Sequence, residues 1–436
     1  MKLERLIGVA VLACVPVFAG AAELSRGAYL ARAGDCAACH TAGPNAAPFA
    51  GGLHMNSPLG TIISSNITPD PDTGIGRYTL AQFSDALRRG IRGDGKRLYP
   101  AMPFASFAAL SDADVADLFS FFKNEVAAVR YRPPPTSLPF PFNQRWGLAM
   151  WDGMFVHTKP FAPRADRSAT WNRGAYLVQT LGHCGACHTP RGLLFQERGY
   201  DESSALYLGG SELDHWYAPD LGGNPASGMG RRSVDDLVSL LRSGHGAGAS
   251  VYGPMVDVVT QSTSKLTDTD LTAIATYLKT LPARASNATF RPAAAPVRAA
   301  LVLEERPGAG VYSGFCQRCH GANGEGDPPK HPRLAGSPTV LSPNGASLLR
   351  IVLEGSNSPS IVQAPMPDEM PAFDAKLSDA DIADVLTLIR NSWGNHAPPI
   401  SSRDAAHLRA KLADEAELRR ARDARAGAGK PPAKSR

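Results

Sequence analysis

Six of the seven cysteines in this 436-residue chain occur in one pattern, Cys-x-x-Cys-His, which is repeated three times. This spacing is the signature of covalent haem attachment. Two thiols three positions apart can each add to a vinyl group of the haem, and the adjoining histidine then lies under the iron. We therefore predict three bound haem c groups. The predicted thioether cysteines are Cys36, Cys39, Cys184, Cys187, Cys316 and Cys319, and the predicted proximal iron ligands are His40, His188 and His320.

Redox-active dithiols and structural zinc sites also use a Cys-x-x-Cys spacing. A redox dithiol is expected within a βαβ context, and zinc sites usually combine two such pairs without a histidine after each one. Three occurrences, each followed directly by histidine, therefore favour haem attachment over both alternatives.

The sixth iron ligand separates electron carriers from catalysts, because a methionine thioether raises the potential and blocks substrate. Met102 and Met370 are each followed by proline and then by a phenylalanine, late in the first and third copies. Met255 lies at the corresponding place in the second copy but lacks the proline. We predict these three methionines as the axial ligands. The alternatives are Met366 in the third copy and His215 or His245 in the second.

Similar segments precede the three motifs. Arg-Gly-Ala-Tyr-Leu occurs at residues 26–30 and 173–177, and Gly-Val-Tyr occurs at 310–312. Self-similarity at a long period indicates tandem copies of one structural unit. Between the elements of each copy the chain is rich in glycine, proline and asparagine, as expected of loops that wrap a cofactor.

Each copy also ends with the start signal of a helix. Ser111, Thr267 and Ser378 are each followed three residues later by aspartate, which resembles a capping box with negative charge in the first turn. Apolar residues then recur at helical spacing. We predict that these closing helices pack against the helices that enter the haem motifs.

The first 22 residues are typical of a secretory signal peptide. Lys2 and Arg5 precede an apolar run at 6–18, which is too short to span a bilayer and is followed by small residues. Cys14 leaves with this segment or, as a minor alternative, marks a lipid-attachment site. No later stretch is long and apolar enough for a transmembrane helix, so we expect a soluble or peripheral mature chain.

The formal charge of +5 is concentrated at the C-terminus, where residues 401–436 hold ten of the lysines and arginines and five of the acidic residues. The body is nearly neutral, which disfavours nucleic-acid binding. Leu408, Leu412 and Leu418 form only a thin apolar stripe among these charges. A solvated, partly helical tail is favoured over contact with anionic lipid.

Several longer segments resemble the triheme cytochrome c subunits of periplasmic membrane-bound alcohol, gluconate and sorbitol dehydrogenases. They are Cys-Ala-Ala-Cys-His-Thr-Ala at 36–42, Ser-Asn-Ile-Thr-Pro-Asp at 65–70, Pro-Phe-Asn-Gln-Arg-Trp at 141–146, Gly-His-Cys-Gly-Ala-Cys-His-Thr-Pro-Arg at 182–191, Met-Pro-Ala-Phe at 370–373 and Asn-Ser-Trp-Gly-Asn at 391–395. The resemblance covers nearly the whole mature chain. Family members often dock on the membrane through an apolar C-terminal segment, from which the charged tail of this chain departs.

This resemblance implies an electron-transfer subunit in the periplasm, peripheral to the inner membrane. A separate catalytic subunit, carrying pyrroloquinoline quinone or flavin, would oxidise an alcohol, sugar or sugar acid. Electrons would then pass through three haems to ubiquinone. Similar triheme subunits also serve some molybdenum hydroxylases and aldehyde dehydrogenases.

The predicted fold is all-α, with three tandem class I cytochrome c-like domains and long haem-wrapping loops. The predicted divisions are a signal peptide at 1–22, domain 1 at 23–142, an aromatic arm at 143–166, domain 2 at 167–284, an Ala/Pro linker at 285–302, domain 3 at 303–397 and a basic charged tail at 398–436.

Outside the haem motifs the sequence has no dinucleotide fingerprint, phosphate loop or acid/base constellation, so we predict no catalytic residues. Two rival functions remain. A haem enzyme such as a peroxidase would need one iron with an open distal position, and a diffusible carrier would need no fixed dehydrogenase partner.

Overall fold

The computed structural model describes residues 24–428 apart from gaps at 58, 157–158, 247, 293–305, 358, 360 and 362–367. The predicted signal peptide with Cys14, the alternative ligand Met366 and most of the Ala/Pro linker therefore lie outside the described residues. Within the described part, no helix is long and apolar enough to cross a membrane. We refer to the three predicted domains as the first, second and third units.

The first unit and the aromatic arm contain six helices. They are α1 (Arg26–Ala33), α2 (Cys36–His40), α3 (Leu80–Arg89), α4 (Phe104–Phe107), α5 (Asp112–Asn124) and, in the arm, α6 (Gly147–Phe155). One hairpin follows the haem motif, in which β1 (His54–Ser57) pairs antiparallel with β2 (Gly60–Ile63).

The second unit repeats this order. Its helices are α7 (Ala169–Gln179), α8 (Gly185–His188), α9 (Val234–Ser243), α10 (Pro254–Gln261) and α11 (Asp268–Leu278), with a 3₁₀ turn at Thr263–Lys265. Two antiparallel hairpins join β3 (Ser211–Leu213) to β4 (Trp216–Ala218) and β5 (His245–Gly246) to β6 (Ala249–Ser250).

The third unit enters its haem motif through a distorted helix. The elements are α12 (Ala309–Val311), a π-helical segment (Tyr312–Cys316), α13 (Gln317–His320), α14 (Ala346–Glu354), α15 (Asp379–Arg390) and the C-terminal helix α16 (Ser402–Ala428). The linker strand β7 (Thr289–Phe290) pairs with β8 (Asn395–His396), which ties the start of the linker to the third unit.

The prediction of an all-α fold is too simple, because the described residues include four two-stranded sheets. None of their strands exceeds four residues. They close loops between helices and form no sheet core. The position of such short strands depends on where a loop folds back on itself. The helical periodicity of the sequence carries no information about that position.

The three closing helices begin where the sequence predicts. The side chains of Ser111, Thr267 and Ser378 each accept a hydrogen bond from the backbone N–H three residues on. Only the Ser378 cap is a complete capping box. At the other two caps the aspartates at the third helical position turn away to partners in other helices, as described below.

Glycines allow each entry helix to cross its closing helix at backbone contact. A Cβ on Gly27 would overlap the carbonyl oxygen of Asp117, and one on Gly174 would overlap that of Ala273. In the third unit the corresponding close contact is made by Gly308, against the backbone of Asp384. Gly310, which the sequence repeat suggested, has open space at this position.

The first two units share one hydrophobic core. Leu30 and Leu118 of the first unit belong to the same buried cluster as Leu177 and Leu271 of the second. Burial of apolar surface is the main favourable term in folding, so these two units stabilise each other. The boundary predicted between the first two domains therefore separates two copies of the repeat along the chain. It does not separate two hydrophobic cores.

Two aspartates connect the first and second units, because each one binds an arginine of its own unit and a tyrosine of the other. Asp114 in α5 pairs with Arg26 of its own unit and accepts a hydrogen bond from Tyr176 of the second unit. Asp270 in α11 pairs with Arg173 of its own unit and accepts a hydrogen bond of 2.6 Å from a tyrosine of the first. That tyrosine is Tyr29. Each tyrosine of the repeated Arg-Gly-Ala-Tyr-Leu segment thus binds the other unit.

The third unit has its own core, which includes the start of the C-terminal helix. Leu408 and Leu412 are buried in this cluster, and Arg409 donates a 2.8 Å hydrogen bond to Asp379 at the start of α15. Leu418 is 72% exposed. The first half of the basic tail therefore packs against the third unit, in contrast to the expected solvated tail.

A test of the helix crossing compares two glycines at related positions of the repeat. We expect Gly174→Ala to reduce the free energy of unfolding by about 1–3 kcal/mol, because the methyl group must push α7 away from α11. Gly310→Ala, where nothing lies within 4 Å of the added methyl, should leave it unchanged or raise it by up to about 1 kcal/mol, because alanine is the better helix former. Thermal unfolding followed by circular dichroism measures both. Equal effects of the two substitutions would contradict the crossing argument.

Candidate functional site

The three motif histidines have the same hydrogen-bond arrangement. The Nδ1 atoms lie 2.7 Å from Ser65 O for His40, 2.8 Å from Pro219 O for His188, and 2.9 Å from Pro332 O for His320. A carbonyl oxygen only accepts, so Nδ1 carries the proton in each ring and Nε2 keeps its lone pair for a metal. Burial lowers the pKa of all three imidazoles and favours this neutral form.

Three of the motif cysteines lie where burial disfavours the thiolate. Burial raises the pKa of Cys36 and of Cys184 to about 12, and that of Cys316 to about 11. Reactive dithiols depend on thiolates. In the described ranges, no three His, Cys, Asp or Glu side chains come together as a metal site. The prediction of haem attachment continues to rest on the spacing of the motifs.

A cavity in the third unit brings its predicted haem residues together. Cys316, His320 and Met370 all line this cavity, which has about 860 Å³ of empty space including its open mouth. The remaining walls are mostly apolar, with Leu334 and Phe373 among them. A free imidazole Nε2, a thiol and a thioether in one apolar cavity fit a covalently bound haem.

The second unit contributes to this cavity as well. Ala249, Ser250 and Tyr252 line it from β6 and the turn that follows. The Tyr252 hydroxyl lies 3.4 Å from Thr339 Oγ1 of the third unit. The third haem position is therefore assembled across a boundary between units.

Met102 and Met255 occupy comparable places in their units. Met102 is half-buried between Pro100 and α4 and packs against the shared core. Met255 is half-buried in the first turn of α10, and α10 packs against α2, the haem-motif helix of the first unit. The helix that carries Met255 therefore contacts the motif helix of the first unit.

The two histidine alternatives differ in their surroundings. His215 lies 3.8 Å from Glu212 and 3.6 Å from Glu415 of the C-terminal helix, so its ring faces carboxylates. His245 is buried, and its Nδ1 lies 3.0 Å from Ser250 Oγ. Its Nε2 has no hydrogen-bond partner within the described part of the chain. His245 therefore remains the alternative to Met255.

Residues that the sequence did not single out surround the second motif. A Cβ on Gly185, inside the motif, would meet the carboxylate of Glu197 and would lie 3.5 Å from the Tyr207 ring. Burial raises the pKa of Glu197 to about 7, although Arg191 acts in the opposite direction. Glu197 Oε2 and the Tyr200 hydroxyl are buried without hydrogen-bond partners in the described residues.

Comparison with known proteins identifies the family. A family model described as "Cytochrome c" matches residues 172–282 and 306–393, in the second and third units. The cytochrome c subunit of a quinone-type alcohol dehydrogenase from Gluconacetobacter polyoxogenes is 43% identical over 398 residues, which cover 90% of this chain and 85% of that protein. The chain belongs to the family of dehydrogenase cytochrome c subunits. As a member, it binds haem c covalently and takes part in electron transfer.

Two further relatives show how widely this dehydrogenase cytochrome c subunit family extends. The gluconate 2-dehydrogenase cytochrome c subunit of Pantoea cypripedii is 43% identical over 396 residues, or 89% of this chain and 90% of that one. The fructose dehydrogenase cytochrome subunit of Gluconobacter japonicus is 37% identical over 417 residues, or 91% and 84%. The similarity extends well beyond the haem motifs, as the longer matching segments of the sequence predict.

The three motifs predict a number of haems that can be counted. We expect the purified protein to contain three covalently bound haems per chain, and variants with both cysteines of one motif replaced, such as C184S with C187S, to contain two. The pyridine haemochrome absorbance per chain measures this number. The unsubstituted chain, purified and assayed in the same way, is the control and should contain all three. If the number of haems stayed at three after both cysteines of a motif had been replaced, that motif would not be a haem-attachment site.

Proposed function

We propose that this protein is the triheme electron-transfer subunit of a dehydrogenase complex. It would accept electrons from a separate catalytic subunit and pass them to membrane ubiquinone or another acceptor of the respiratory chain. The observation that carries the proposal is the threefold recurrence of Cys-x-x-Cys-His with an imidazole Nε2 free for iron in each copy.

Three haem units in one chain are suited to a relay, because electron tunnelling falls steeply with distance and closely spaced haems divide a long path. The packing supports such spacing. The first and second units share a core, α10 of the second unit packs against α2 of the first, and Tyr252 of the second unit lines the third cavity. In this proposal Met102, Met255 and Met370 occupy the distal positions, and the protein tunes each potential through ligand, burial and hydrogen bonds.

The catalytic partner is proposed from the relatives, whose names refer to alcohol, gluconate and fructose dehydrogenases. We infer a quinoprotein or flavoprotein subunit that oxidises an alcohol, sugar or sugar acid. The chain itself would contribute no catalytic residue. A periplasmic location, peripheral to the inner membrane, is proposed from the N-terminal signal sequence.

An exposed apolar surface favours a fixed complex over a diffusible carrier. Phe140 is 79% exposed, Trp146 72% and Met150 64%, all in or beside the aromatic arm. Leu193 is 99% exposed, and the Trp151 indole donates a 2.8 Å hydrogen bond to the adjacent Leu194 carbonyl. Contiguous exposed apolar patches on soluble units are typical of interaction sites.

The second unit also offers the best place for the rival function, a haem enzyme with an open distal position. Its methionine lacks the proline that follows the other two, and the buried His245 keeps an unpartnered Nε2. A test of the second sixth ligand therefore distinguishes a pure relay from a catalytic haem.

The near-infrared spectrum of the oxidised protein provides this test, because methionine-ligated ferric haem has a weak sulfur-to-iron charge-transfer band. We expect three equivalents of this band per chain. Met255→Ala should remove one equivalent, whereas His245→Ala should leave all three. The rival function would be favoured by two equivalents in the wild type, and His245 would become the ligand if only its substitution changed the spectrum.

The relay itself can be tested with the complex as it exists in the cell. A tagged chain purified from membranes should bring with it a dehydrogenase subunit, which mass spectrometry identifies. Addition of that subunit's substrate without oxygen should reduce all three haems, seen as full development of the α-band. Absence of a co-purifying dehydrogenase, or haems that stay oxidised with substrate, would contradict the proposed function.

A further inference from the structure

A second crevice lies between the second and third units, beside the third haem cavity. It has about 680 Å³ of empty space including its mouth, and its charged lining residues are Arg231 and Arg232 of the second unit and Arg333 of the third. No sequence motif pointed to this crevice, because the three arginines come together only when the units pack.

These arginines have no carboxylate partner. Within the described ranges, no aspartate or glutamate oxygen lies within 4.0 Å of their guanidinium groups. Other arginines of the same two units behave differently. Arg284 pairs with Asp220 at 2.6 Å, and Arg350 pairs with Glu354 at 2.7 Å.

Two of the arginines are held in place by backbone carbonyls. Arg231 donates from Nε to Pro225 O and from Nη2 to Gly336 O, and its guanidinium lies 4.4 Å from the centre of the Phe290 ring. Arg232 donates from Nη1 to Gly246 O at 3.1 Å. Their charges are therefore fixed at the wall of the crevice and cannot simply move apart.

The third arginine is fixed only at its backbone. The Arg333 N–H donates to Gly248 O at 2.8 Å, whereas its guanidinium forms no hydrogen bond or ion pair with the described residues. A guanidinium presents five N–H donors in a planar fork that matches carboxylate and phosphate groups. All five N–H donors of the Arg333 guanidinium are therefore available to a ligand.

The like charges oppose one another across the boundary. Burial lowers the pKa of Arg231, and Arg333 lowers it further. Burial also lowers the pKa of Arg232, where Asp236 acts in the opposite direction and Arg231 in the same direction as burial. An anion bound in the crevice would offset the repulsion between the arginines. Opposite charges within a few ångströms attract more strongly at partly buried sites than in water.

The neighbouring cavity offers a source for such an anion. Both cavities share Ala249, Arg333 and Ser337 in their linings. Haem c carries two propionate groups, and a haem attached at Cys316 and Cys319 would bring them into this part of the protein. The chemistry required is that of a carboxylate or phosphate oxyanion.

We propose that Arg231, Arg232 and Arg333 form an oxyanion site that joins the second and third units. The anion is either a propionate of the third haem, entering from the adjoining cavity, or free phosphate entering from solvent. The propionate source rests on the proposed function, since it requires haem at the third motif.

The first arm of the test measures the three reduction potentials by spectroelectrochemical titration, after the haem count per chain has been established. With propionate in the site, Arg333→Gln and Arg232→Gln should each lower one potential and leave two unchanged, because loss of a positive charge near one haem favours its ferric form. Arg333→Lys should retain most of the wild-type potential. Arg291→Gln, with the same charge change outside the crevice lining, is the control and should shift none.

The second arm titrates the full-length protein with inorganic phosphate against chloride at constant ionic strength. With free phosphate in the site, the midpoint of thermal unfolding should rise saturably in the wild type, and the rise should be lost in Arg333→Gln. Unchanged potentials together with no phosphate effect would overturn the proposal. If the protein lacked the third haem, the proposed function would be overturned instead. The phosphate titration would still decide whether the three arginines form an oxyanion site.

Discussion

The close crossing of each entry helix over its closing helix is the constraint on which the haem positions depend. Glycines at the crossing points, Gly27, Gly174 and Gly308, bring the two backbones into contact and fix the direction in which the Cys-x-x-Cys-His segment leaves the entry helix. In the third unit the closing helix α15 is the next helix after the predicted distal Met370, whereas in the first unit the short α4 lies between Met102 and α5. The crossing therefore links the predicted proximal side of each haem to the helix that follows its predicted distal side.

Electrostatic contacts then combine the first two units into a single body. At the caps of α5 and α11 the aspartates Asp114 and Asp270 are nearly fully buried, which would be costly for carboxylates without partners. Each has an arginine from its own unit and a tyrosine from the other. The third unit keeps the standard capping box at Ser378 and has a separate core. It is attached to the second unit through α14, where Ser347 bonds to the backbone of Tyr217 and the Arg350 guanidinium lies 4.7 Å from the centre of the Trp216 ring.

The sequence predicts what is encoded locally. The haem motifs, the helix starts at Ser111, Thr267 and Ser378, and the family all follow from spacing and from short segments. The shared core, the exchange of tyrosines, the buried Glu197 and the crevice around Arg333 involve residues far apart in the chain, so no local pattern reports them. The four two-stranded sheets were missed for a related reason, since strands of a few residues arise where segments of loop meet.

The reciprocal exchange also has a consequence for how the protein matures. Tyr176 follows Asp114 by 62 residues, so during synthesis from the N-terminus the first unit exists for a time without the partner that completes its buried carboxylate. Asp270 likewise gains its second partner, Tyr29, only from the other unit. The first two units are therefore expected to fold and unfold as one cooperative body, so that neither haem motif reaches its final surroundings without the other unit.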